Sequence, residues 1–356
     1  MAYTTINDSS AYFQSLLYTG NSSSRSVTFD GNSNLQPDWV WVKGRSNSGD
    51  HFLFDTNRGV YKNIHSNDQA AQVNNNNSLT AFNSNGFSMG NVGGMNYNSN
   101  TYIGWGWKAN GGTTATNSSG DITSTVQANT TAGFSIVTYI GNGTSNQTVG
   151  HGLGATPDCL MWKNYDASTS GWNWKVWHKD LSGTNILVLN NSDASASSNG
   201  DVDALPTSTL FTVGNNGSTN GQSGQNQTMI CYAFTSIKGF SKFGKYTGNG
   251  NNASGTFVYT GFKVKYLLIK RTNAGQSWHL SDTDMDPVNP NTQRLLADST
   301  GAEETRSTTD SIDFLSNGFK LYSDQNIING NGDTYVYMAF AKNPLVGTNG
   351  VPTTAK

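Results

Sequence analysis

The sequence predicts an all-β protein made of three tandem antiparallel β-sandwich domains of a jelly-roll or lectin-like kind. Three observations point there. Helix formers are scarce: the only glutamates among 356 residues are Glu303 and Glu304, side by side, while turn-forming and aromatic residues abound. Short apolar runs are separated by Gly, Asn and Ser turns, as in packed sheets. Finally, the chain repeats itself about every 110 residues, which for 356 residues fits three units of ordinary domain size.

The repeat consists of ordered landmarks. The first is an aromatic-led turn, Tyr18-Thr19-Gly20-Asn21, returning as Tyr139-Ile140-Gly141-Asn142 and Tyr246-Thr247-Gly248-Asn249. The second is an apolar strand ending in lysine: Trp39 to Lys43, Cys159 to Lys163 and Tyr266 to Lys270. Two copies enter it through Pro-Asp, at Pro37-Asp38 and Pro157-Asp158. The third is a closing strand alignable without gaps over seven residues, Thr101 to Trp107, Thr228 to Phe234 and Thr334 to Phe340. An Asn-Gly turn precedes it at Asn85-Gly86 and Asn317-Gly318, where the left-handed geometry suits both residue types. The expected layout is a first domain over 1–112 with an N-terminal arm, a linker over 113–120 and a second domain over 121–238. A third domain over 239–345 and a tail over 346–356 complete it. In Trp39-Val40-Trp41-Val42 both alternating faces are apolar, so the strand must be covered on both sides, or covered on one and paired with a neighbour.

Composition excludes several partners. A net charge of −2 without any Lys/Arg cluster leaves no footprint for nucleic acid. No apolar run approaches the roughly 20 residues that span a bilayer, so membrane insertion is not expected. The opening MAYTTINDSSAYF lacks the pattern of a signal peptide, which implies synthesis in the cytoplasm. Cys159 and Cys231 lie in apolar runs and read as buried small hydrophobes, with a bridge as the alternative.

Candidate sites are few. Glycoside hydrolysis needs paired carboxylates, and two adjacent glutamates cannot supply a Glu-based pair across a sugar. The five histidines show no zinc spacing, and no nucleophile elbow is present, so no enzyme and no catalytic residue are expected. Asp282, Asp284 and Asp286 alternate as calcium ligands do, making calcium the one cofactor considered. The first-copy counterpart, Asp55 to Gly59, keeps only the leading Asp, which reads as a turn former. Trp172, Trp174, Trp177 and His178 form the densest aromatic stretch; they either stack on sugar rings or pack in the core.

The opening MAYTTINDSSAYFQ leading to Leu35-Gln36-Pro37-Asp38-Trp39, the segment Gly133 to Tyr139 with Val149 to Gly154, and the ending Tyr337 to Pro344 carry a resemblance. The chain resembles, over nearly its whole length, a module found often in tandem in structural and tail-fibre-like proteins of marine tailed phages. Such modules look like concanavalin-A-like or LamG-like sandwiches. The resemblance implies a virion protein on the particle exterior, in a tail fibre, an adhesin or a head decoration. Its expected partners are other virion proteins, further copies of itself (a trimer if in a fibre) and a host-surface glycan. A cement or assembly protein without a cell-surface ligand is the alternative, and a glycan depolymerase the third reading.

Overall fold

The structure, a computed structural model, describes residues 4–166 and 171–346. The expected tail beyond residue 346 lies outside the described residues. The chain is all-β, with 43% strand and 3% helix, as the scarcity of helix formers requires.

The first segment contributes β1 (Phe13–Thr19), β2 (Arg25–Val27), β3 (Trp39–Gly44), β4 (Phe52–Asp55) and β5 (Lys62–His65). It continues with β6 (Val73–Asn74), β7 (Leu79–Asn83), β8 (Gly86–Met89) and β9 (Thr101–Trp107). The second contributes β10 (Ala115–Asn117), β11 (Ser124–Asn129), β12 (Phe134–Gly141), β13 (Gln147–Gly150) and β14 (Cys159–Asn164). To these it adds β15 (Lys175–His178), β16 (Leu187–Val188), β17 (Val202–Ala204), β18 (Leu210–Val213) and β19 (Gln227–Phe234). The third contributes β20 (Ser241–Thr247), β21 (Phe257–Tyr259), β22 (Phe262–Arg271), β23 (His279–Asp282) and β24 (Gln293–Leu296). It ends with β25 (Glu304–Thr305), β26 (Ser311–Leu315), β27 (Gly318–Tyr322) and β28 (Thr334–Pro344).

Each segment forms one large and one three-stranded sheet. The large sheets run β1-β9-β3-β4-β5-β6, β10-β11-β12-β19-β14-β15-β16 and β20-β28-β22-β23-β24-β25; the small ones run β2-β8-β7, β13-β18-β17 and β21-β27-β26. Register recurs with the order. Trp107 faces Phe13 and Trp39, Phe234 faces Phe134 and Cys159, and Phe340 faces Ser241 and Tyr266. Residues 113–120, expected as a linker, instead supply β10, which pairs with β11 at the edge of the second large sheet. The alternating Thr-x-Thr of this stretch suits an edge strand.

The turn landmark has a physical cause. Tyr18 and Tyr246 donate their hydroxyls to the carbonyls of Met95 and Ile328 at 2.8 and 2.6 Å, and Tyr139 donates to Thr219. The amides of Asn21, Asn142 and Asn249 then donate to the side-chain oxygens of Asn96, Asn220 and Asn329, which are buried. Glycine is required between them: a Cβ on Gly20 would meet the Tyr97 carbonyl oxygen at 2.1 Å, and one on Gly141 the Asn220 carbonyl oxygen at 2.3 Å. The Pro-Asp entry is equally specific. Asp38 accepts from the amides of Ala109, Gly111 and Gly112, tying the chain after β9 back to the start of β3.

Strand alternation sends the two faces of each large sheet to different interiors. Val40 and Val42 join Phe87, Met89 and Tyr102 beneath the small sheet of their own segment. Trp39 and Trp41 point the other way, into a cluster with Phe134, Met161 and Tyr232 of the second segment and Tyr266, Leu268 and Phe340 of the third. The ends of the three closing strands meet there: ring centroids lie 5.7 Å apart for Trp107 and Phe340 and 6.1 Å for Phe234 and Phe340. Trp39 stacks on Tyr232 at 4.5 Å. Both-sided apolar strands are thus explained by cover on both sides, the second cover being the other two segments.

Matching polar bonds close the segments into a ring. The amides of Gln72, Ser195 and Glu303 donate to the carbonyls of Tyr165, Thr272 and Arg45 at 3.1, 2.9 and 2.8 Å. Trp174 donates its indole N–H to the His65 carbonyl at 2.7 Å, and Trp278 to that of Val188 at 2.8 Å. At the corresponding place His51 Nε2 lies 3.0 Å from the Leu296 carbonyl. The landmark lysines Lys43, Lys163 and Lys270 are buried at these junctions, and burial lowers each ammonium to about 8. Their Nζ atoms donate to the carbonyls of Thr300, Trp172 and Ser192, at 3.2, 2.7 and 3.0 Å. Cys159 and Cys231 are free and buried, and burial pushes both thiols up.

Candidate functional site

The aromatic stretch is interior. Trp174 is 0% exposed, Trp177 and His178 are buried, and Trp172 is partly buried with its ring over Gly217, so a sugar would find no free indole face at Trp174 or Trp177. Trp177 donates to the Gly183 carbonyl at 3.0 Å. These side chains build the junctions: Trp174 and Val176 enter the shared cluster, while Trp177 joins the interior of its own segment.

The Asp282-Asp284-Asp286 tract is already engaged by donors. Asp282 is buried and accepts from Trp105 Nε1 at 2.9 Å, Ser15 Oγ at 3.1 Å and the Asp284 amide at 2.8 Å. Asp284 accepts from Ser15 Oγ at 2.9 Å and pairs with Lys265, while Asp286 accepts from the amide of Thr292 at 2.9 Å. Oxygens turned toward N–H, O–H and ammonium groups do not form the convergent shell a hard cation needs. Burial raises the Asp282 carboxyl, against the Lys265 ammonium, which lowers it, and with a further push from the Asp284 charge. Its first-segment counterpart Asp55 is also buried. It accepts from Arg58 Nε at 2.5 Å and from Tyr232 Oη at 2.8 Å, beyond the turn role its sequence suggested. The trio Asp50, His65 and Asp68, which the sequence reading missed, brings three metal-capable groups together. It is knit internally, with His65 Nδ1 2.9 Å from Asp68 and Asp50 accepting from Asn67.

Open surface chemistry lies elsewhere, beside β1 and β20, in the place that a further strand takes beside β12. The strands β1, β12 and β20 occupy the same place in the three large sheets, and each meets the residue two positions past the end of a strand in another segment: Ser15 meets Asp284, the Ile136 carbonyl meets Asn57 and Lys245 meets Asp180. Beside β12 the place is filled by β11, whose residues Ser124 to Asn129 pair with Phe134 to Tyr139. Gln127 there donates to Thr56 Oγ1 at 2.6 Å, and Asn57 donates to the Thr125 carbonyl at 3.2 Å. Beside β1 a cleft of about 520 Å³ remains, lined by Asp8, Asp30, Asp284, Lys265, Lys342 and Leu17 among others. Beside β20 a cleft of about 450 Å³ remains, lined by Lys179, Asp180, Lys242, Lys245, Phe257 and Tyr259 among others.

A family described as a domain of unknown function, DUF7483, matches residues 8–344. The chain belongs to this family. The DUF7483 match begins just before β1 and ends on the last residue of β28, so it takes in all three large sheets and the cluster between them as one unit. No curated protein and no solved structure matches the chain. In this DUF7483 protein the two clefts and the filled groove are places where copies of one strand order differ.

Proposed function

We propose that the chain is a bacteriophage virion structural protein displayed on the particle exterior, as a tail-fibre, adhesion or head-decoration component. In this reading three lectin-like β-sandwich domains bind a host surface or neighbouring virion proteins, without catalysis. The observation that carries it is the shared interior: aromatic rings from all three segments close one cluster, so opening any one segment exposes apolar surface of the other two. A particle-borne protein outside the cell gains from that resistance. Support for the virion setting comes from the resemblance in the opening, the Pro-Asp-Trp strand and the closing Tyr337 to Pro344. Support for binding over catalysis comes from Asp55 and Asp282, both buried and hydrogen-bonded to side chains of another segment.

Mass spectrometry and antibody labelling of purified particles test the proposal. It expects the chain on intact virions and accessible to antibody; a chain confined to the lysate, or reached only after particles are opened, overturns it. Incubation with host polysaccharide expects no release of shorter products, and release would replace the non-catalytic reading with a depolymerase.

A further inference from the structure

The cleft beside β20 differs from its two counterparts in a way that names a ligand. Val258 points inward beneath the third small sheet, so its neighbours Phe257 and Tyr259 point out together, 46% and 48% exposed. Val27 and Val149 hold the corresponding inward place, each facing the Phe of the adjacent strand as Val258 faces Phe319. Their neighbours are Ser26 with Thr28, and Thr148 with Gly150. Two rings thus stand where each of the other segments has two small residues. Across the cleft, β20 carries Lys242 and Lys245 where β1, in the same register, carries Gln14 and Leu17.

Charge separates the two open clefts as well. The one beside β1 sets Asp8, Asp30 and Asp284 against Lys265 and Lys342. Its counterpart beside β20 sets Lys179, Lys242 and Lys245 against Asp180, with Lys245 Nζ 3.8 Å from Asp180 and Lys179 Nζ 3.1 Å from Asp158 behind the wall, so cations still outnumber carboxylates. Lys242 lies over the Tyr259 ring, 5.5 Å from its centroid, and donates to the Tyr259 carbonyl at 2.6 Å. Burial first, and the Lys179 ammonium second, hold Lys242 below its usual value.

We infer that the cleft between β20 and β21 binds an acidic polysaccharide, with sugar rings stacked on Phe257 and Tyr259 and their carboxylates facing Lys242 and Lys245. Aromatic faces take the C–H side of a pyranose at little entropic cost, and ammonium groups select the acidic sugar over a neutral one. This rests on the adhesion reading above and supplies its ligand class and site.

Affinity electrophoresis of the full chain through gels containing polygalacturonate, or its fully methyl-esterified neutral form, tests it. Retardation by the acidic polymer, at least tenfold weaker with the neutral one and declining with salt, is expected. Two variants transplant the first segment's residues: Phe257→Ser with Tyr259→Thr, and Lys242→Gln with Lys245→Leu. Each is expected to weaken binding at least tenfold at an unchanged melting temperature, and either alone suffices should the other fail to fold. Acidic-polymer binding undiminished in a folded variant overturns the site, while host-cell adhesion by the wild type would leave the adhesion reading standing. No retardation of the wild type by polygalacturonate overturns the ligand class.

Discussion

The junction between the first and second segments and that between the second and third are built on the same strand order, yet they differ inside and out. At the first, the carboxylate of Asp55 ends β4 and is held by Arg58 and Tyr232, while β11 fills the groove beside β12. At the second, His178 ends β15 and shares a small void with Met338, Cys159 and Trp278, while the groove beside β20 stays open. Tyr232 and Met338 occupy one register position, since each stands two residues before the closing aromatic Phe234 or Phe340. The lesson is that the scaffold requires burial and pairing at this place but no particular chemistry, so a charged network and an apolar contact serve alike.

Removing one partner from the charged junction should do the most damage. Asp55→Ala leaves the Arg58 guanidinium buried without its anion and is expected to cost about 3–5 kcal/mol. Met338→Leu, at the apolar junction, conserves volume and should cost under about 1.5 kcal/mol. Equal losses, read as shifts in the denaturant midpoint, would erase the distinction drawn between the two junctions.

Acid should find the second junction next. Burial pushes His178 down to about 4 from its ordinary value near 6.5. A histidine depressed in the folded state contributes its full stability above pH 6.5 and loses it as pH falls toward 4, a change of about 3 kcal/mol. Wild type should therefore lose more stability than His178→Leu between pH 7 and pH 4.5; parallel pH profiles would refute the assignment. Asp282 runs in the opposite sense, because a carboxyl raised by burial stabilises at low pH and that contribution fades as pH rises.

The smallest effect concerns the bonds that close the ring. Trp174→Phe and Trp278→Phe keep an aromatic ring but leave the His65 or Val188 carbonyl without its indole donor, at about 1–3 kcal/mol each. Similar melting-temperature losses for the two would show that both junctions use this bond alike, whereas a silent Trp278→Phe would show that the second does not.

The all-β class was legible because the scarcity of helix formers and the Gly-Asn turns act locally. So was the strand at each landmark, since Trp39 to Lys43, Cys159 to Lys163 and Tyr266 to Lys270 all lie within strands. What covers the second face of those strands was not. Trp39 and Trp41 announce an apolar environment, but Tyr232, on which Trp39 stacks, lies over 150 residues away and no local pattern selects it. Asn96, Asn220 and Asn329 were missed because single asparagines in an Asn-rich chain carry no signal until a turn packs on them. Trp172 to His178 left packing and sugar stacking both open for a related reason: composition marks an aromatic cluster, and only tertiary contacts decide whether its faces meet solvent or other rings. Phe257 and Tyr259 emerge as a surface only when the three segments are laid over one another, where the corresponding residues are Ser, Thr and Gly.

Scanning calorimetry of the intact chain tests the shared interior most directly. One transition is expected, with calorimetric and van't Hoff enthalpies in agreement, because rings from all three segments close the same cluster. Two or three separable transitions, or a calorimetric enthalpy well above the van't Hoff value, would show segments that unfold on their own and would contradict it.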